Sequence, residues 1–506
     1  MKKIVLLPLD ERPCNYEFPH QIFQNEKYEI IRPDLSLMGD KKTPGNLDEI
    51  RNFLLNSTKD ADGLVISIDT LLYGGIVPSR LHHDDLKTLT KRLDVLKEIK
   101  KNNKKLKVYA FHLIMRSPQY SSDDEEPDYY AKCGREIFLT GFLSHKKEIG
   151  WASGEEIKEL EKIKVPKKYL DDFLNRRKIN TNMCLKSISL VEEKIIDFLI
   201  IPQDDAAEFG WTAKDQEVVR KEIENKTLEF DVYMYPGADE VANTLLSKMV
   251  SKMENKRPLI YIHYPSATSG HLIPRYEDRM LDTTVKYQIL AAGALTASSI
   301  DEADLVLFVN APSANMQEAA YQHKHFREYE TQRNLVEFVE KIKYVVRLIK
   351  KPAIIADVAY ANGGDIEFVK MLDKENLLME VASYAGWNTS SNTLGTAIPH
   401  GIASWLFPNH NFDSFLASRY VEDVGYCSVV RHDVIYNKLK DYGFDYFYVK
   451  DQRGVISTIV KDELMKFVNK ELSNLKDKVI INDLYMPWRR MFEIGINVTY
   501  KGGNKK

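Results

Sequence analysis

At 506 residues with 44% hydrophobic side chains, the chain is too long for one ordinary core and apolar enough for extensive burial. Its 71 basic and 74 acidic residues leave a formal net charge of -3, so it lacks the basic excess of a nucleic-acid-binding protein. The four cysteines, Cys14, Cys133, Cys184 and Cys427, lie far apart without Cys-x-x-Cys spacing, which argues against a thiolate metal site and for free buried thiols.

The chain opens with "MKKIVLLPLDERP", where two lysines and a short apolar run imitate a leader. The run meets Pro8 and then Asp10, Glu11 and Arg12 without a small-residue cleavage site, so it is read as a first β-strand. Similar aliphatic runs follow as "DGLVISID", "LKVYAFHLIMR", "DFLIIPQDD", "FDVYMYPGADE", "RPLIYIHYP", "ADLVLFVN", "KPAIIADVAYANGGD" and "LLMEVASYAGWN". Connectors such as 85–104 and 331–351 carry apolar residues at helical spacing with charges between. This alternation predicts an α/β fold around parallel strands, either a (β/α)8-like barrel or a doubly wound parallel sheet; periodicity does not choose between them. The charged, helical interval 117–195 reads as an insertion in a βα loop. The rhythm stops near residue 405, which predicts an α/β catalytic domain over 1–405 and a small C-terminal α+β domain over 406–506, with a closing strand pair within "KVIINDLYMPWRRMFEIGINVTY". There is no internal sequence repeat, and the last residues, "KGGNKK", read as a frayed tail. No window has the apolar length of a membrane span, and the expected location is cytoplasmic.

In parallel α/β architectures ligands sit at the carboxyl ends of the strands. Those ends carry Asp10, Arg12, Asp69, Arg80, His112, Arg116, Asp204, Asp205, Tyr235, Asp239, Asp357, Asn362, Trp387 and Asn388. Carboxylates and amides beside aromatic rings suit a neutral polyhydroxylated ligand. No phosphate-binding loop, dinucleotide fingerprint or nucleophile elbow is present, so no cofactor is expected. The stretch "FLIIPQDDAAEFGW" is distinctive, because a strand that reads as buried ends in two adjacent acids. Consecutive residues of a regular strand face opposite ways, but where the chain leaves the pleat both can turn to one cleft. Two close carboxylates then divide into one acid and one base, as glycoside hydrolysis requires. The plainer reading is that either aspartate caps the following helix.

The same caution applies elsewhere. Asp239 sits where a helix start is expected, His82, His83, Asp84 and Asp85 read as a solvated helix cap, and Ser390 or Ser391 as the cap of a later helix. His112, His263 and His271 with Asp10, Asp69 or Asp357 make an alternative mixed metal site. Arg12, Arg80 and Arg116 either fork a substrate carboxylate or neutralise Asp10, Asp69 and Asp239.

Counted as the end of the fourth strand, the Asp204–Asp205 pair resembles the substrate-assisted N-acetylhexosaminidases and O-GlcNAcases. That resemblance implies that Asp204 orients the acetamido group of the substrate while Asp205 protonates the leaving oxygen. "YAGWNTSSN" resembles the Trp and Asn residues of such sugar pockets. Over nearly the full length, "LPLDERPCN", "DTLLYGGIVPSR", "IPQDDAAEFGW", "YPGADEVA", "DVAYANGGD" and "YAGWNTSSNTLGTAIPHG" resemble a bacterial domain-of-unknown-function family, which implies a single enzyme-like unit and no particular activity. The expected function is a glycoside hydrolase using Asp204 and Asp205 on a small sugar or amino-sugar conjugate. Asp10, Arg12, Asp69, Arg116, Tyr235, Asp357, Asn362, Trp387 and Asn388 are the expected substrate-binding residues. The alternatives are a metal-dependent hydrolase or lyase working through His and Asp residues, and a non-catalytic sugar-binding protein. The expected partner is a small carbohydrate, with no nucleic acid or membrane, and a homo-oligomer is compatible with the sequence.

Overall fold

The computed structural model describes residues 1–502, so the end of the predicted tail lies outside the described residues. The strands in chain order are β1 (Lys2–Leu7), β2 (Tyr28–Ile31), β3 (Gly63–Ser67), β4 (Lys107–Phe111), β5 (Phe198–Gln203), β6 (Val232–Pro236), β7 (Leu259–His263), β8 (Leu295–Thr296), β9 (Leu305–Asn310), β10 (Gln317–Glu318), β11 (Ala353–Asp357), β12 (Tyr360–Ala361), β13 (Ser383–Ala385), β14 (Val479–Tyr485) and β15 (Gly495–Tyr500). Each of the nine runs read as strands contains at least one, and "KPAIIADVAYANGGD" contains both β11 and β12. The short strands β2, β8 and β10 lie outside those runs because four, two and two residues carry too little pattern.

The chain packs as two units, residues 1–11, 24–245 and 276–278, and residues 12–23, 246–275 and 279–506. The predicted boundary at 405 therefore does not coincide with the packing. In the first unit six strands form an open parallel sheet in the order β2-β1-β3-β4-β5-β6. Ile4 to Leu7 of β1 are fully buried, as are all six residues of β5, because such aliphatic runs suit a sheet covered on both faces. Register is continuous from Ile4↔Gly63 through Gly63↔Lys107 to Tyr109↔Phe198 and Leu199↔Val232. The 117–195 insertion belongs to this unit. It supplies the helices Tyr130–Glu148, Gly154–Lys162, which starts in a Ser153/Glu156 capping box, and Lys167–Glu192.

In the second unit five parallel strands run in the order β13-β11-β9-β7-β8. Read from its first strand, this is the same winding as in the first unit: the second strand flanks the first on one side, and all later strands add on the other. Both sheets are thus open and doubly wound, and of the two predicted architectures the closed barrel is not the one formed. The topology repeats although no sequence repeat is visible, because winding is set by where apolar runs and helices fall, not by residue identity.

Residues after 405 do not build a core of their own. The helix Val455–Glu471 and the antiparallel pair β14–β15 contribute Val460, Leu464, Ile481 and Val498 to one hydrophobic cluster that also contains Phe308 of β9, Phe338 and Tyr384. Among the described residues no helix is long and apolar enough to cross a membrane. Because Leu464 is fully buried in that cluster, Leu464→Ala is expected to cost about 2–5 kcal/mol. Hydrogen exchange should then quicken in β9 together with the helix Val455–Glu471; unchanged protection of β9 would mark an independent C-terminal domain.

Candidate functional site

The doubly wound order of the first unit places its topological switch between β1 and β3, where the carboxyl ends leave a crevice for a ligand. Here Thr70, just after β3, donates its hydroxyl to the carbonyls of Pro8 and Leu9 at 2.6 and 2.8 Å, fixing the chain that leads into the buried Asp10. Asp69 is buried beside it and accepts from the Leu113 amide at 2.9 Å. Burial pushes its carboxyl up to about 7, against the opposing backbone hydrogen bonds from Leu113 and from its own amide and a smaller pull from Arg80.

The Asp204–Asp205 pair lies in the turn that follows β5. Neither residue caps the next helix, which begins at Trp211 behind Gly210 and has no side-chain cap. Asp205 adopts a left-handed backbone with φ +42°, and this break from extended geometry lets neighbouring side chains reach one cluster. Asp204 accepts from Arg80 Nη2 at 2.7 Å, and Asp205 from Arg116 Nη1 at 3.1 Å. The two guanidiniums are tied together by the insertion: Glu125 lies 2.8 Å from Arg80 and 3.3 Å from Arg116, and Glu126 lies 2.7 Å from Arg116 and 3.5 Å from Arg80. Arg80, Arg116 and Glu126 are buried, whereas the side chains of Asp204, Asp205 and Glu125 are 17%, 23% and 15% exposed and so can meet a ligand.

Burial, then the charge of Asp205, push Asp204 up to about 6, while Arg80 and Arg116 pull against them. Burial also raises Asp205, which Arg116 and Arg80 oppose more directly. Asp204 therefore holds its proton close to neutrality, while Asp205, also raised by burial, feels the stronger opposing pull of the two guanidiniums. The exposed ring of Tyr120 lies within the field of Arg116, Asp205 and Glu125, next to the cluster.

Among the predicted site residues of this unit, Asp69, Arg116, Asp204 and Asp205 come together. Tyr235 is fully buried in β6, where burial raises its phenol. The sequence reads Arg80 as a fork for a substrate carboxylate or as a neutraliser of the acidic rim, and it does not point to Glu125 and Glu126. Their signal was the run "SSDDEEP", which begins five residues after Arg116 and reads as ordinary insertion charge. The arginines do neutralise an acidic rim, but with Glu125, Glu126, Asp204 and Asp205 as partners.

The second unit holds the other predicted residues. Arg12 stacks 4.3 Å from the Trp488 ring and lies 3.6 Å from Glu493, so its cation has an internal role. Asp357, last in β11, accepts from Asn310 at 2.9 Å, from the Tyr384 hydroxyl at 2.8 Å and from the Asp365 amide at 2.7 Å. Asp365 in turn pairs with Arg333 at 2.8 Å. Burial, then the charge of Asp365, push Asp357 up to about 7. This is a saturated network that ties strand ends together and presents little to a ligand. Asn362 donates its side-chain amide to Glu318 at 2.8 Å and its backbone amide to the Asn388 carbonyl. Trp387 is only 6% exposed; its ring packs on Phe18 and its indole N–H donates to Thr396, so it is not an open platform for a sugar.

The histidines do not gather. His112 is buried, bonds Ser187 at 3.0 Å and is pushed down to about 3, so it stays neutral. In the second unit His263 stacks on Phe338 and His271 is exposed. Among the described residues no group of three or more His, Cys, Asp or Glu is arranged to hold a metal ion. Asp85 caps the helix Leu86–Leu93, as the helix-cap reading expects, whereas His82 is partly buried and bonds Asn180. The later helix Ser390–Leu406 is capped by Thr389, one residue before the predicted serines. All four cysteines are free and buried.

Over residues 4–497 the sequence matches the model of a family described as "Protein of unknown function (DUF4127)". No curated protein matches it.

The raised carboxyl of Asp69 makes stability depend on pH. Its folded value lies above its unfolded one, so the native state binds the extra proton and stability falls as pH rises from about 4 to about 7. Asp69→Asn keeps an acceptor for Leu113 and removes the buried charge. Thermal melts should show the variant several degrees above wild type at pH 8 and level with it near pH 4; equal melting temperatures at pH 8 would contradict this.

Proposed function

We propose that the chain, which belongs to the DUF4127 family, is a hydrolase that cleaves a glycosidic bond with Asp204 and Asp205 as its acid and base. The observation that carries this reading is the convergence of both carboxylates on Arg80 and Arg116, with Asp204 pushed up to about 6. Glycoside hydrolysis uses a pair of carboxyl groups in unlike protonation states, one to protonate the leaving oxygen and one to activate water or attack the anomeric carbon. Partial exposure lets the pair meet a sugar, and Tyr120 offers an aromatic face beside it.

The electrostatics favour Asp204 as the acid and Asp205 as the base, which reverses the roles implied by the resemblance to hexosaminidases. That resemblance also rests on the pair ending a fourth barrel strand, whereas β5 is the fifth strand of the chain in an open sheet. A general acid–base mechanism on a sugar does not depend on either detail. Asp69 lies behind the pair, where its ionisation would raise Asp204 further, so it acts as a positioning residue that sets the field.

A panel of nitrophenyl glycosides should reveal turnover. Its pH profile should fall on the alkaline side with a midpoint of about 6, as Asp204 loses its proton. Asp204→Asn and Asp205→Asn should each lower kcat by roughly 10²–10⁴-fold with the fold intact by circular dichroism, the scale of a lost general acid or base. Turnover that survives both substitutions would overturn the proposal.

A further inference from the structure

We infer that His145, in the insertion, is a positioning residue for Asp204 and Asp205, acting through the Gly210 amide at the far end of their loop. The inference goes beyond the hydrolase reading and rests on it only for what the pair does.

The first observation is how the loop is held. At its near end Gln203 stays in the sheet, where it bridges to Ile114 and its carbonyl accepts from the Gly237 amide at 3.0 Å. Asp205 then takes φ +42°, a sparsely populated conformation for a residue with a side chain, which persists only where the surroundings hold it. Among the described residues Ala206, Ala207, Glu208 and Phe209 add no hydrogen bond. The next tie is Gly210, whose amide donates to Nδ1 of His145 at 3.2 Å. Gly210 turns the chain there with φ +113°, a conformation suited to glycine. The segment that carries the pair is therefore fixed by hydrogen bonds at two ends, and His145 supplies the second.

The second observation is the setting of His145 itself. It is buried on the helix Tyr130–Glu148, and both ring nitrogens are engaged. The Gly210 N–H can only donate, so Nδ1 is the acceptor, and Nε2 carries the proton and donates to Glu217 at 3.1 Å. The ring also packs edge-on against Phe209 with centroids 5.9 Å apart, and Phe142 and Trp151 close around Phe209 at 5.6 and 5.8 Å. His145 thus grips two consecutive residues of the loop, one by a hydrogen bond and one by its ring. The helix that bears it is fastened separately: the Trp211 indole donates to the Ile137 carbonyl at 3.0 Å, and its ring lies where a Cβ on Gly141 would come within 2.4 Å. With the helices clasped at Trp211, a change at His145 acts on the loop.

Carbon-13 NMR of the aspartate-labelled full chain, with turnover measured in parallel, compares His145→Leu, which removes the acceptor, with His145→Asn, whose side-chain oxygen can replace Nδ1. In His145→Leu the carboxyl resonances of Asp204 and Asp205 should move, and the Asp204 midpoint should fall from about 6 toward the ordinary value of about 4 as the pair leaves its buried setting. Its kcat should fall by roughly 10²-fold, the scale of a reacting group displaced by about an ångström, with KM little changed. His145→Asn should restore both. Should His145→Leu fail to fold by circular dichroism, Phe209→Ala, at a partly exposed position, should move the same resonances in the same direction. Unmoved resonances in the folded variant, or resonances displaced equally by leucine and asparagine, would overturn the inference. The two proposals fail separately: displaced resonances that asparagine restores, in a protein that turns over no glycoside, remove the hydrolase and leave the positioning role, whereas turnover that His145→Leu does not alter does the reverse.

Discussion

Two buried guanidiniums, Arg80 and Arg116, govern the chemistry of the first unit. A buried cation is tolerated only where anions meet it, and here Glu125, Glu126, Asp204 and Asp205 do so, each within 3.5 Å of a guanidinium nitrogen. Burial and the repulsion of a neighbouring carboxylate favour retention of a proton on the carboxyl whose surroundings favour its charge least. That carboxyl is Asp204, pressed by burial and by Asp205. Structural neutralisation and the acid–base role proposed for the pair thus draw on one arrangement.

The fold explains why these groups meet. Parallel strands carry their loops to one edge, so residues far apart in sequence, Asp69 after β3, Arg116 after β4 and Asp204 after β5, arrive together. The insertion that follows Arg116 then returns Glu125 and Glu126 to the same edge. In the second unit the equivalent ends of β9 and β11 carry Asn310 and Asp357, but there Tyr384, Asp365 and Arg333 complete every bond. The same topology therefore holds a partly exposed cluster in one unit and a buried one in the other. The difference is solvent access, since Asp357 is 1% exposed and Asp204 considerably more.

Much of this was legible in the sequence, and the limits have physical causes. Long aliphatic runs such as "FLIIPQ" identify strands because burial on both faces demands continuous apolar residues. The edge strand β2 failed to register because it is four residues long and alternates in burial. Open sheet and closed barrel share one local pattern, and only the order of pairing separates them. The Asp204–Asp205 pair stood out as charge at the end of a buried strand. Its partners did not, because Glu125 and Glu126 lie in a segment where an acidic run normally means a solvated surface. Trp387 misled for the opposite reason: an aromatic residue after a strand looks like a sugar platform until its ring is found against Phe18. The late residues looked separate because the βα rhythm ended, yet a hydrophobic cluster is blind to rhythm and recruits Leu464 and Val498 alongside Phe308.

The most direct test is a titration of the side-chain carboxyl of Asp204 by carbon-13 NMR of aspartate-labelled protein, with the resonance assigned by its loss in Asp204→Asn. A midpoint near 6 is the expected result, with a second, smaller shift as its neighbour Asp205 responds. A midpoint in the ordinary aspartate range of about 4 would mean that the two arginines neutralise the cluster completely, and the acid–base role would be lost with it.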